Sequence, residues 1–363
     1  MKFLTTIVLI FIVSVLPVTA QEAPPSLSEI LDRHVQALGG RNNLNAIHSV
    51  VKHLVYREGS FTIPDAFIAR MRPYYKTIGD PKDTTVDVNE GYDGSAWEYY
   101  KDPGVVIRTV GAAAAAGRHG TEMFDSLMDY QDVGTRISLS GTESFDNKPA
   151  YKLHVVLADG FEKDLFVDQE SYLIIAERHS APVHAFGAPI KSENRISDYR
   201  EVNGVMFPFS VREVEIATGK ELNSDTVQSI VVNQPLEPDF FSPPRFLHTP
   251  LQRTLEQLYE ERTDSVAVMW TYRGFRQANP TTDTREGVEF IAYQMVKMGD
   301  FKGAIDLLTQ NAADYPKSAS AQFGLGRAHA AAGQPDEARV HFQKALEIDP
   351  KFKKASDGLN ALR

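Results

Sequence analysis

The strongest constraint in this 363-residue chain is an offset of 34 residues near its C-terminal end. Gly299 recurs as Gly333, Ala304 as Ala338, Leu308 as Phe342 and Pro316 as Pro350. A fixed period of this length marks stacked units, each burying its apolar face against the next. The spacing predicts two units, 285–318 and 319–352, each a pair of helices. Small residues at Gly326, Ala338 and Ala345 let paired helices approach closely, while Leu325 and Phe342 fill the space between them. Pro316 and Pro350 stop the second helices. Residues 353–362 read as a capping helix, with Leu359 in the position of Leu325. Two units alone would hardly be stable. Leu251, Leu255, Leu258 and Tyr259, at helical spacing, therefore predict a third, degenerate pair before Pro280.

The second unit, with Leu325-Gly326, Ala338, Phe342, Ala345 and Pro350, resembles the tetratricopeptide repeat. The first departs from the motif at Ala292 and Asn311. The resemblance implies a concave groove for a protein partner, lined by Glu286, Glu289, Tyr293 and Lys297 of the first unit and Phe323 and Arg327 of the second. Spacings of three and four place each group on one helical face; an ordinary solvated face has the same pattern. Repeats that clamp a terminal carboxylate carry Asn early in the first helix. Phe290 and Gly324 stand there, which argues against that mode.

Residues 26–245 have a different period. One amphipathic helix is expected over Leu27–Leu38, ended by Gly39-Gly40. Then come short runs alternating in steps of two, such as Tyr151, Leu153, Val155, Leu157 and Val205, Phe207, Phe209, Val211. Turn signals such as Asp93-Gly94, Asp159-Gly160 and Asn203-Gly204 separate them, so consecutive strands are antiparallel. A helix is expected between Gly111 and Tyr130. Pro235, Pro238, Pro243 and Pro244 mark a linker, and the change of period there predicts separate cores for 26–245 and 251–363.

The first twenty residues form a secretory signal peptide: Lys2, the apolar run Phe3–Leu16, then Val18-Thr19-Ala20 as a cleavage site. Cleavage after Ala20 sends the mature chain to a periplasm or outside the cell. No second apolar run is long enough to span a membrane. Cysteine is absent, so disulfides, thiolate nucleophiles and cysteine lipid anchors are excluded. A formal charge of −10 argues against nucleic-acid binding.

Several segments together resemble the periplasmic carriers that sort outer-membrane lipoproteins, the LolA/LolB-like family. They are the helix ending in Gly39-Gly40, Tyr92-Asp93-Gly94 before Trp97, Gly141-Thr142-Glu143 before Tyr151, Phe166-Val167-Asp168, and Asp198-Tyr199-Arg200 before Asn203-Gly204. The resemblance covers about 26–245. It implies an α+β domain: a curved antiparallel sheet, an incomplete barrel with covering helices, enclosing a cavity for an acyl chain. Phe67, Met71, Tyr151, Leu153, Phe207 and Phe209 are its candidate lining. The same residues suit plain core packing, because both readings need inward apolar side chains.

Catalytic patterns are missing. There is no Gly-x-Ser-x-Gly elbow, no phosphate-binding glycine loop and no His-Glu-x-x-His. Glu177, His179 and His184 read as a solvated loop rather than a zinc site, and Asp164, Asp168 and Glu170 as a solvated strand face. No catalytic residue, metal or cofactor is assigned. The expected function is that of an exported, non-enzymatic binding protein for a lipid or lipidated polypeptide, with a helical module for a protein partner. A ligand-free envelope scaffold is the alternative.

Overall fold

The computed structural model describes residues 24–78, 88–128, 134–182, 189–243 and 248–362. The signal peptide 1–20 and His184 lie outside the described residues. Helix α1, Leu27–Ala37, opens on a reciprocal cap: Ser26 N–H donates to the Glu29 carboxylate at 2.7 Å, and Glu29 N–H to the Ser26 hydroxyl at 3.3 Å. Its buried face is Ile30, Leu31, His34 and Val35. A short α2, Arg41–Asn45, follows. Between them Gly39 sits at φ +122°, where a Cβ would lie 2.1 Å from the Gly204 carbonyl oxygen; only glycine fits.

Six strands come next: β1 Val50–Glu58, β2 Phe61–Met71, β3 Tyr74–Ile78, β4 Val88–Tyr92, β5 Ala96–Tyr100 and β6 Val105–Arg108. After α3, Gly111–His119, come β7 Arg136–Phe145, β8 Lys148–Val156, β9 Glu162–Asp168, β10 Ile174–Pro182, β11 Pro189–Val202, β12 Val205–Glu215 and β13 Glu221–Val232. All thirteen join one antiparallel sheet in the order β6-β5-β4-β3-β2-β1-β13-β12-β11-β10-β9-β8-β7. The first and last strands therefore pair in the middle, Val50 opposite Val232, and β6 and β7 are left as edges. The sheet is curved and does not close.

Helix α3 is shorter than the sequence suggests. Residues 120–128 run irregularly beneath the sheet, with Met123, Leu127 and Met128 buried. Two glycines allow the close approach that ends the helix: a Cβ on Gly117 would meet Ala96 Cβ at 2.7 Å, and one on Gly120 the Tyr75 ring at 3.0 Å. The Asp125 carboxylate then accepts Leu127 N–H at 2.8 Å and fixes a turn.

The proline-rich stretch is no free spacer. Pro238–Phe241 forms a 3-10 turn clamped to the outer face of the sheet. Trp97 Nε1–H donates to the Phe241 carbonyl at 3.0 Å, and Lys76 Nζ to that of Phe240 at 2.7 Å.

Helices α4 Pro250–Glu260, α5 Ser265–Ala278, α6 Arg285–Met298, α7 Phe301–Asp314, α8 Ala319–Ala331, α9 Pro335–Ile348 and α10 Lys353–Ala361 complete the chain. Gly326 lets α8 and α9 touch; a Cβ there would lie 2.7 Å from the Phe342 ring. The expected separation of cores does not hold. Val105 and Ile107 of β6 share one buried cluster with Leu255, Leu258, Tyr259 and Val288 of the helices. Glu256 of α4 also accepts the Val106 N–H at 2.7 Å, so the array covers the β6 edge.

Candidate functional site

The six apolar candidates divide between the two faces of the sheet. Phe207 and Phe209 face inward with Val35, Leu44 and Met123; the Phe207 ring lies 5.7 Å from Phe124. Tyr151 and Leu153 also face inward, packed with Ile30 and Leu31 of α1. Phe67 points outward, 6.1 Å from the Phe240 ring. Met71 packs beside it at the strand end and also touches a cleft described below. Four of the six thus share the helix-covered face, in two packing groups.

The inner face is not purely apolar. Lys163, whose side chain is 5 % exposed, stands 3.1 Å from the Glu122 carboxylate and 3.7 Å from that of Glu177. Burial opposes the charge on Glu177, but Lys163 outweighs it and holds this carboxyl down at about 2. Beside them His34, fully buried, gives Nδ1–H to the Tyr172 carbonyl at 2.7 Å and Nε2–H to Asp125 at 3.0 Å. Both ring nitrogens face acceptors, so the imidazolium form fits. Burial lowers the pKa of His34, yet Asp125 and the carbonyl reverse this and leave it raised.

Three cavities meet at residues 122–124. A cleft of about 530 Å³ is lined by Arg72, Arg118, Met123, Leu157 and Asp159. A second, of about 400 Å³, is lined by Ile47, Met71, Arg72, Met123, Phe124 and Met128. Further inside, about 150 Å³ lies among Lys52, Arg70, Met123, Phe124, Tyr199 and Phe207. The inner charges had a readable signal: Lys52 and Lys163 fall on the apolar parity of their strands, between Val50 and Leu54 and before Leu165 and Val167.

Of the carboxylates and histidines weighed from the sequence, Asp164, Asp168, Glu177 and His179 have structural partners. Asp164 pairs with Lys152 at 2.8 Å and His154 at 2.9 Å on the outer face. Asp168 accepts the Ser171 N–H at 2.7 Å and caps a turn. His179 lies 3.5 Å from Glu177. Among the described residues no three His, Asp or Glu side chains gather to hold a metal ion.

On the helical array, five of the six groove candidates come together across α6 and α8. The Arg327 guanidinium stacks 3.9 Å from the centre of the Tyr293 ring and 5.7 Å from that of Phe323. Glu289 accepts the Ser320 hydroxyl at 3.0 Å, and burial raises its pKa. Lys297 reaches the same Tyr293 ring at 5.3 Å. Glu286 stands apart, exposed and paired with Arg285 at 3.1 Å. Phe290 meets Tyr100 of β5 edge-on at 5.0 Å, so the sheet abuts this helix.

A tetratricopeptide-repeat family model matches residues 295–361, from the end of α6 through α10. Solved structures similar to the sheet-bearing part include three that align over most of their own length. A LolA superfamily protein from Nitrosomonas europaea is 11% identical, covering 61% of this chain and 99% of that one, with a TM-score of 0.42. A DUF1329 family protein from Desulfovibrio piger is 11% identical over 59% and 96%, with a TM-score of 0.41. An outer membrane lipoprotein-sorting protein domain from Vibrio parahaemolyticus is 13% identical over 59% and 94%, with a TM-score of 0.39. No curated protein matches the sequence. Among the described residues no helix is long and apolar enough to cross a membrane.

Proposed function

We propose that this is an exported, non-enzymatic binding protein that takes an amphipathic ligand, a lipid or a lipidated polypeptide, beneath its curved sheet. The supporting observation is the pair of clefts of about 530 and 400 Å³ that share Arg72 and Met123. Sites of a few hundred Å³ with apolar walls and a few polar groups are the usual form of small-ligand pockets. Methionine suits such a wall, because its flexible thioether repacks around chains of different length. Acyl burial needs no catalytic group and stabilises by about 0.8 kcal/mol per CH₂. The site therefore moves from the strand phenylalanines to the irregular segment 120–128 and its neighbours. The signal peptide, cut after Ala20, delivers the chain to the envelope, where the Tyr293–Arg327–Phe323 stack contacts a protein partner.

The test is mass spectrometry of lipid co-purified with the mature protein from its native envelope, paired with titration of a fluorescent fatty acid. Met123→Trp, which fills the shared wall, is expected to weaken that titration at least ~10-fold. Absence of lipid together with absence of titratable binding transfers the preference to a ligand-free scaffold.

A further inference from the structure

The innermost cavity, about 150 Å³ under residues 120–128, is lined by two cations, Lys52 and Arg70, and by three carboxylates, Glu122, Asp125 and Glu177. Each carboxylate on its wall has a partner. Lys163 serves Glu122 and Glu177, and His34 serves Asp125. Neither cation on the same wall has a carboxylate at ion-pair distance among the described residues. Arg70 gives its Nε–H to the Gly120 carbonyl at 2.7 Å and lies over the Tyr75 ring, and among the described residues it enters no ion pair. Lys52 has neither a hydrogen bond nor an ion pair among the described residues. Both project from one face of the β1–β2 pair: Lys52 stands opposite Ile68, and Arg70 opposite Val50, which makes them diagonal neighbours.

Like charges placed side by side in a partly enclosed cavity are costly without a counter-charge. Burial, and then the field of Arg70, brings the Lys52 amine down to about 7. Asp225 is the acid whose field reaches both cations, but it pairs with neither, and burial pushes it up to about 6.

We propose that the cavity holds the anionic group of a ligand, a carboxylate or a phosphate, between Lys52 and Arg70. The inference deepens the carrier reading by naming the charged end of its ligand. A cavity of about 150 Å³ accepts a group the size of benzene, so it suits a head and not a tail. Met123 and Phe124 wall both this cavity and the 400 Å³ cleft, and rotation of Met123 would join them. Phe207, read from the sequence as cavity lining, then packs beside the head rather than the chain.

The experiment uses the mature chain and four probes: dodecanoate, its methyl ester, dodecyl phosphate and inorganic phosphate. Calorimetry on wild type, Lys52→Met and Arg70→Met gives the ratio of acid to ester affinity. The expected wild-type ratio is ~10–100, the range for hydrogen bonds to a charged group, and each substitution reduces it toward one. NMR of ¹³C-methylated lysines follows Lys52 in the wild type, so the proposal is decided even if a variant fails to fold. An upward shift of its titration on adding an anionic probe supports the site. Such a shift with inorganic phosphate, while no alkyl probe binds, supports a free-anion site and removes the carrier reading. Equal affinity for acid and ester, or a Lys52 titration that no anion moves, overturns the inference while lipid binding stands.

Discussion

Where α8, α9 and α10 meet, the buried side chains are small or apolar, with Ala338, Phe342, Ala345 and Ala355 in one group; Ile291, Ala304 and Leu307 belong to a larger group between the earlier helices, where Gln294 and Asn311 are also buried. On the inner face of the sheet, the same depth of burial includes Lys163 and His34 beside Leu165 and Ile30, with their partners Glu122 and Asp125 partly covered. The array is held by shape, so its tolerance depends on volume. The sheet interior is held partly by charge, so its tolerance depends on which partner is removed. An all-carbon filling of the sheet would have sufficed for stability alone, since buried ion pairs stabilise weakly against apolar replacements. Charge retained there, next to cavities, suits recognition.

The largest expected effect comes from separating the two regions. A chain shortened to residues 21–243 loses the helices that cover β6 and exposes Val105 and Ile107, both fully buried in the whole protein. At about 1.5–3 kcal/mol per side chain, the loss is roughly 3–6 kcal/mol, a large fraction of a domain's stability. Urea unfolding followed by circular dichroism measures it. A shortened chain as stable as the sheet transition of the full protein would show that the shared cluster stabilises only the array.

The next effect lies within the sheet. Lys163→Met leaves Glu122 and Glu177 without the cation between them; with both carboxylates partly exposed, the cost is about 3 kcal/mol, the low end for breaking a buried pair. The pH dependence separates charge from packing. Glu177 is held at about 2, below its ordinary 4.5, so its pairing stabilises fully above about pH 4.5 and is lost as pH falls toward 2. The gap between variant and wild type is therefore expected to be widest near neutrality and to shrink in acid. A pH-independent gap would assign the loss to packing.

These two regions also differed in how much the sequence disclosed. The 34-residue offset placed the helix pairs of the array because steric fit leaves a fixed signature, small residue against large, at fixed spacing. Period-two alternation and turn dipeptides showed an antiparallel sheet, but not that β1 and β13 meet in its centre, since strand order depends on contacts remote in sequence. Alternation also could not tell inner from outer face, and so grouped Phe67 with Phe207. The inner cations were overlooked because charge on a strand normally signals solvent. A lysine such as Lys163, in step with Leu165 and Val167, is the exception worth testing. The proline cluster suggested a spacer, whereas the Phe240 and Phe241 carbonyls anchor it to Lys76 and Trp97.

A smaller effect is expected from volume in the array. Ala338 is fully buried, and its carbonyl oxygen lies 3.1 Å from where a Cβ on Gly326 would be. Ala338→Phe cannot be absorbed by so close a crossing and should cost about 1–3 kcal/mol, independent of pH. Thermal unfolding at two pH values checks both parts. A pH-dependent loss would blur the distinction between a region held by shape and one held by charge.

The smallest effect sits where the two regions join. Glu256 of α4 receives the edge N–H of Val106 at 2.7 Å and lies 3.3 Å from His248. Glu256→Ala leaves that N–H to water at a half-covered edge, for about 0.5–1.5 kcal/mol. The expected signature is local: hydrogen exchange at Val106 accelerates, while amides of α8 and α9 keep their protection. Exchange is the deciding measurement, because a loss this small is close to the ±0.5 kcal/mol scatter of ordinary surface substitutions. If protection falls along α4 and α6 as well, the carboxylate couples the sheet to the array, and the contact transmits changes between the inner cavities and the Tyr293–Arg327 stack. If only Val106 responds, Glu256 merely caps an edge strand, and the apolar cluster around Ile107 and Leu255 carries the attachment.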